Sequence, residues 1–172
     1  MRSSLKEGQQ KFYILSVVSP VELYLCTSEQ FEEFTQVTFK RFNQVAAKGA
    51  DFIYKVIVGD FVLASINKNW FRAKVIRELP MNSVELELVD TLEVFHVDKI
   101  MLRKVPLHLM EIPTPYTMCQ LDSFFGREME AREYVDKARD LMRSHCHVHG
   151  EVLHYENGIA RVTIPSVESK LR

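Results

Sequence analysis

The stretch NKNWFRAKVIRELPMNSVELELVDTLEVF, residues 67–95, decides the fold. In its first half Trp70, Arg72, Lys74 and Ile76 alternate with Phe71, Ala73, Val75 and Arg77. In its second half Val84, Leu86, Leu88 and Asp90 alternate with Glu85, Glu87 and Val89. Side chains of a strand point to opposite faces with period two, so each half reads as a strand with one apolar face. A sheet bent on itself would bury Ala73 and Val75 against Leu86. It would leave residues 67–69 and 91–93 at loop tips, where recognition residues are commonly presented.

Outward from this hairpin the chain keeps the same texture. Residues 52–66, 70–79, 84–90 and 94–105 form short alternating runs punctuated by Gly, Asn and Pro, which predicts four or five strands and a small barrel. Upstream, residues 11–26 make two β-rich runs around Ser19-Pro20. Ser28 is placed to cap a helix with Glu29, Glu32 and Glu33 near its positive end. Phe31, Phe34, Thr38, Phe42 and Val45 form its apolar stripe, and Gly49 ends it. Downstream, Pro106, Pro113 and Pro115 predict an extended connector, then a short strand over residues 116–121.

A second helix is expected over residues 127–144, with Asp122 or Ser123 as its cap and Ala131, Val135, Ala138, Leu141 and Met142 as its stripe. Asn157-Gly158 predicts a two-residue hairpin turn, and Gly126, Gly150 and Gly158 read as turn glycines. The fold class is therefore mainly β with two helices (α+β), a small barrel embedded in a second unit assembled from both ends of the chain. We read residues 1–172 as one domain in three parts, 11–50, 51–105 and 106–172. The polar ends SSLKEGQQ and SVESKLR read as frayed ends or, preferably, as cut edges of a longer protein.

Composition narrows the function. With 172 residues, 47% of them hydrophobic, the chain can bury a sizeable core, and 22 basic against 23 acidic residues give no excess charge for a phosphate backbone. Lys68, Arg72, Lys74 and Arg77 around Trp70 and Phe71 form a basic stretch that could contact RNA, with a solvated strand face as the plainer reading. No apolar run approaches the roughly 18–20 residues that span a bilayer, so no membrane role is expected. Cys26, Cys119 and Cys146 are odd in number and far apart, which argues against a disulfide framework and for a reducing, cytoplasmic setting.

Enzyme chemistry has no visible seat. There is no Gly-rich phosphate loop and no carboxylate–arginine cluster beside the barrel strands, and Cys119 in TMCQL has the neighbours of a buried strand thiol. His145, Cys146, His147 and His149 are suitable metal ligands, but structural zinc draws paired ligands from separated segments, and no such partner motif is present. His96, His108 and His154 read as surface or interface histidines. No cofactor or metal is expected.

Several of these segments together resemble an extended Tudor domain, a Tudor barrel inserted in a staphylococcal-nuclease-like OB unit. The likeness covers nearly the whole chain. It rests on VVSPVELYL before a long helix, on VGDFVLA and NWFRAKV like the family's Gly-x-x-x-x-Ala and Trp-Tyr-Arg-Ala strands, on VELELVD, and on LRKVPLHLMEIPTPYTMCQL as the following connector and strand. The resemblance implies an interaction module for arginine-rich peptides. These are commonly symmetrically dimethylated Arg-Gly or Arg-Ala repeats of PIWI-type Argonautes in germline small-RNA (piRNA) pathways, and the setting is a cytoplasmic, perinuclear germ granule. In that family an aromatic box holds the methylated guanidinium by cation–π attraction and an asparagine fixes its orientation.

Carried over by position, the first aromatic of the box falls on Ser65 and the second on Phe71. The third falls on Leu88, and the family's Asp-Tyr-Gly-Asn turn becomes Asp90-Thr91-Leu92-Glu93. Only Phe71 is kept, and Phe61, Phe95 and Tyr54 are the nearby aromatics that could substitute. A carboxylate pairs well with an unmodified guanidinium, whereas methylation removes donors. The expected ligand is therefore an unmethylated or methylation-indifferent arginine peptide, with Glu93 and Asp90 as acids and Phe71 or Trp70 as the stacking surface. The alternatives are a solvated Glu93 with the peptide held between barrel and OB unit, an RNA-binding module, or a dimethylarginine reader using substitute aromatics. The incomplete box suits family members that scaffold an unmethylated Argonaute, of the Krimper type.

Overall fold

The computed structural model describes residues 5–143 and 147–171. Two compact units emerge: one runs from Glu32 to Thr114, and the other is made from the flanks, up to Phe31 and from Pro115 onward.

The flanking unit is a closed five-stranded barrel of order β1-β2-β8-β10-β9, built from β1 (Gly8–Ser19), β2 (Glu22–Thr27), β8 (Thr117–Leu121), β9 (His147–Glu156) and β10 (Ile159–Thr163). Both chain ends thus meet in one sheet, β10 running parallel to β8 and every other pair antiparallel. Phe12, Leu23, Leu25, Cys119, Leu121, Val152 and Val162 fill its interior. At about 1.5–3 kcal/mol for each large apolar side chain fully buried, this core is the unit's main stabilising term. Asn157 and Gly158 both take positive φ, as a two-residue hairpin whose twist matches its strands requires. Gly150 is not a turn glycine. It lies within β9, where a Cβ would run into the Thr163 carbonyl oxygen, so the close approach of the neighbouring chain demands glycine.

The helical segments depart from the periodicity in instructive ways. The first is capped by Thr27 and not Ser28: Thr27 Oγ1 accepts from the Gln30 amide at 3.2 Å, while Gln30 Oε1 accepts from the Thr27 amide at 2.9 Å, a reciprocal capping box. It runs as α1 (Ser28–Glu33), a π-helical turn (Phe34–Thr38) and α2 (Phe39–Ala47). The expected second helix is broken into α4 (Glu128–Ala131), a 3₁₀ turn (Arg132–Tyr134) and α5 (Val135–Arg143), burying Ala131 and Ala138. Asp122 and Ser123 do not cap it. They form a 3₁₀ turn (Asp122–Phe124), and Asp122 pairs with Arg161 at 3.1 Å. Two short helices lack a readable stripe: α3 (Leu107–Met110) in the proline-rich connector, and α6 (Pro165–Leu171), which anchors the polar-looking C-terminal stretch through buried Val167 and Leu171.

The central unit holds a five-stranded sheet of order β6-β5-β4-β3-β7, made of β3 (Phe61–Ile66), β4 (Asn69–Leu79), β5 (Ser83–Leu88), β6 (Val94–Asp98) and β7 (Leu102–Lys104). Ala73, Val75, Val84, Leu86 and Leu88 form one apolar face, in the register expected from the alternation. β4 bulges between Val75 and Arg77, leaving Ile76 and Arg77 both exposed. The run before Gly59 is not a strand, although Phe52 bridges Arg103. A turn closed by the Asp60 amide on the Ile57 carbonyl (3.0 Å), with Asp60 Oδ2 accepting from the Ile57 amide (2.9 Å), delays β3 until Phe61.

Candidate functional site

The loop after β5 returns to the start of β4, at the residue next to Phe71. Asn67 and Lys68 take positive φ in a two-residue turn, with Ile66 opposite Asn69, so β4 begins at Asn69 and presents Trp70 and Phe71 immediately after it. The loop after β5 is tied to the same strand, since the Val89 amide donates to the Arg72 carbonyl at 2.9 Å. It then closes on itself. The Leu92 amide donates to the Leu88 carbonyl at 2.9 Å, and the Leu88 amide to the Glu93 carbonyl at 2.8 Å.

Four candidate residues have distinct surroundings. Phe71 is half-buried, with the Phe39 ring of α2 tilted against it at 5.0 Å. Glu93 is exposed at the loop tip, and Thr91 Oγ1 donates to its Oε2 at 2.9 Å, steadying the carboxylate. Trp70 is packed instead with Leu63, Phe34, Phe42 and Leu109, its amide donating to Asn43 Oδ1 at 2.9 Å. Asp90 is buried and already engaged, so it offers no free ligand surface, whereas Trp70 is half-buried, with the Arg103 guanidinium 5.4 Å from its ring.

The partner of Asp90 is Arg72, only 1% exposed. Arg72 Nε donates to Asp90 Oδ2 at 3.0 Å and Nη2 to Oδ1, while Nη1 donates to the carbonyls of Leu109 (2.6 Å) and Ile112 (2.7 Å). The guanidinium also lies 5.0 Å from the centre of the Phe42 ring. Burial outweighs the Arg72 hydrogen bond and charge and holds the Asp90 carboxyl above its usual range. Charges this deep persist only when paired and hydrogen-bonded, so the pair serves to fix loop to strand. It also removes Arg72 from the basic stretch considered for RNA. Arg77 is bonded to Glu85 at 2.7 Å, and together with His96 it holds that carboxyl below its ordinary range.

The three positions onto which the resemblance carries the box, Ser65, Leu88 and Thr91, differ in kind. Ser65 pairs with Trp70 and shares its face, whereas Phe71 pairs with Ala64 on the other. Leu88 is core, and Thr91 holds Glu93. Leu92 keeps a left-handed backbone, φ +62°, where the resemblance places glycine. For a residue with a Cβ this conformation costs about 1–2 kcal/mol. Accordingly, Leu92→Gly is expected to be near neutral in urea unfolding although it deletes a half-buried side chain. Leu92→Val, which keeps the apolar character, is expected to cost about 1–2 kcal/mol because a β-branched residue fits that region worst.

The substitute aromatics lie elsewhere. Phe61 is half-exposed with Lys74 above its ring at 5.9 Å, Phe95 packs on the sheet core, and Tyr54 stands in solvent. Phe39 is the aromatic that sequence reading missed; its only signal was a phenylalanine beside the helical stripe. Among the described residues no group of three or more His, Cys, Asp or Glu could hold a metal, and no helix is long and apolar enough to cross a membrane. His147 and His149 lie on β9, while His145 and Cys146 fall outside the described residues. Burial pushes the Cys26 and Cys119 thiols up to about 12, which leaves them unreactive.

The Tudor domain family model matches residues 6–123. Among solved structures, the human TDRD1 extended Tudor domain in complex with a symmetrically dimethylated peptide is similar over 94% of this chain and 81% of its own, at 15% identity and a TM-score of 0.66. The extended Tudor domain TD3 of mouse TDRD1, bound to a MILI peptide containing dimethylarginine, is similar over 95% and 86%, at 16% identity and a TM-score of 0.64. A complex of Tudor with a symmetrically dimethylated Aubergine peptide is similar over 95% and 99%, at 14% identity and a TM-score of 0.64. No curated protein matches the chain.

Proposed function

Since this chain belongs to the Tudor domain family, we propose that it is a non-enzymatic interaction module that binds an Arg-Gly or Arg-Ala peptide of a PIWI-family Argonaute, in unmethylated or methylation-indifferent form. The observation that carries this reading is the loop tip itself. An exposed Glu93 carboxylate, steadied by Thr91, stands on a loop tied to the strand of Phe71, where the family's tyrosine and asparagine are replaced. Phe71 with Phe39 offers an aromatic surface for a guanidinium plane, a contact of about 0.5–2 kcal/mol. Glu93 adds a charge-assisted, bidentate acceptor that a methylated guanidinium matches less well. The proposed setting is a piRNA-pathway scaffold in a perinuclear germ granule.

Isothermal titration of an unmodified Arg-Ala repeat peptide tests the residues. Glu93→Gln and Phe71→Leu are each expected to weaken binding about tenfold, equivalent to 1.4 kcal/mol. Unchanged affinity in Glu93→Gln would remove the carboxylate from the site.

A further inference from the structure

The central sheet has two edges, and one of them is open. At the β7 edge the chain lies alongside: Phe52 bridges Arg103, and the Lys104 amide donates to the Asp51 carbonyl at 2.8 Å. At the other edge β6 pairs with β5 alone. Backbone groups along a strand alternate in direction, and the Glu93 carbonyl is taken by the Leu88 amide of β5. The amides and carbonyls of Phe95 and Val97 therefore face β5. Those of Val94, His96 and Asp98 face outward, with no backbone partner among the described residues.

Soluble proteins blunt such an edge with proline, lysine, a bulge or a covering element. Residues Val94–Asp98 include neither proline nor lysine, and their register with β5 is unbroken. Val94, His96 and Asp98 are all exposed. An edge of this kind recruits an extended chain through main-chain hydrogen bonds, and the side chains beside it set which chain is taken. Glu87 stands opposite Val94 and Glu85 opposite His96, while Asp98 ends the strand and Glu93 precedes it. Glu85 is held by Arg77 at 2.7 Å and His96 at 2.8 Å. Lys74, opposite Glu87, lies instead over the Phe61 ring at 5.9 Å, and Asp98 accepts from the neutral Ser83 hydroxyl at 3.4 Å. Glu87, Glu93 and Asp98 thus border the edge with no ion pair among the described residues. The complement is a basic strand, and an Arg-Gly or Arg-Ala repeat has a strand's period of two. Extended, it carries every arginine on one face and every small residue on the other.

We propose that β6 takes up an arginine-repeat segment of the partner as an antiparallel sixth strand of the central sheet, matching the antiparallel pairing of all its other strands. The arginines lie on the face of Glu87 and Asp98, and the small residues on the face of Phe95 and Val97. This inference rests on the assignment of the Glu93 loop to arginine binding and extends it. The arginine at Glu93 is the last of the row, and the repeats before it run back along β6 toward Asp98. Main-chain hydrogen bonds to Val94, His96 and Asp98 then supply the hold that the incomplete box does not.

Three synthetic Arg-Ala repeat peptides with unmodified guanidinium groups test this against the wild-type chain: the parent, one with its arginine backbone amides N-methylated, and one with its alanine backbone amides N-methylated. In an antiparallel pair, the residues opposite Val94, His96 and Asp98 share their face and point their amides at them, so only the arginine amides face β6. Isothermal titration is expected to show at least tenfold weaker binding when the arginine amides are blocked, and parent affinity when the alanine amides are. Equal affinity of the two methylated peptides, or weaker binding of the alanine-methylated one, would overturn the added strand. So would sedimentation showing that the chain dimerises and that the parent peptide leaves the dimer intact. Parent binding that is weakened in Glu93→Gln but indifferent to which amides are blocked removes the strand and keeps the Glu93 site. Absent parent binding, or parent binding unchanged in Glu93→Gln, defeats both.

Discussion

Asp90→Asn is expected to destabilise the central unit by about 3–5 kcal/mol, because it leaves Arg72 buried with its charge uncompensated. Trp70, the single tryptophan, packs in this unit, so its fluorescence during urea unfolding reports the loss directly. Arg72→Met should cost a similar amount at neutral pH, but with a different pH profile. Removing Arg72 takes away the hydrogen bond and charge that lower the Asp90 pKa and leaves the desolvation that raises it. A carboxyl whose folded pKa lies above its unfolded value, about 3.9, favours the folded state below that value and loses the contribution as pH rises through the folded pKa. The cost of Arg72→Met therefore shrinks on acidification relative to wild type. That of Asp90→Asn does not follow this window, since arginine keeps its charge. Equal profiles for the two variants would contradict the assigned pair.

Phe42→Ala has an expected cost of about 3–5 kcal/mol, the usual range for emptying a fully buried aromatic site. Phe42 is completely buried and lies under the Arg72 guanidinium. Its loss removes packing with Phe34, Leu63 and Leu109 and also the aromatic face beneath the cation. The two losses share a partner, so Phe42→Ala and Asp90→Asn should not add. A coupling of about 0.5–3 kcal/mol in the double-mutant cycle is expected for groups in one network. Strict additivity would mean that the ring merely fills space.

Arg72 also shows where sequence reasoning stops. Alternation places it on the face opposite Ala73, as observed, but cannot tell whether that face meets water or a second layer. The layer comes from Phe42, about thirty residues upstream, and from the carbonyls of Leu109 and Ile112, nearly forty downstream. No local pattern encodes such contacts. The hairpin turn at Asn157-Gly158 was legible because Asn-Gly has strong local chemistry, and the core of β4 and β5 because its period is two, whereas residues 67–69 read only as a loop tip and prove to be a two-residue turn with Asn69 already in the strand. α6 was not legible, for its buried face consists of two residues in seven. At the candidate site the departures from the box came from setting the residues against the family resemblance. The role of Asp90 as an internal anchor, and of Phe39 as the neighbour of Phe71, required the packed structure.

The central claim is that this loop has exchanged a methylarginine box for a carboxylate. It is tested most directly by titrating the chain with two matched Arg-Ala repeat peptides that differ only in symmetric dimethylation of one arginine. Equal affinity, or tighter binding of the unmodified peptide with the difference abolished in Glu93→Gln, is the expected result. A clear preference for the dimethylated peptide would contradict it.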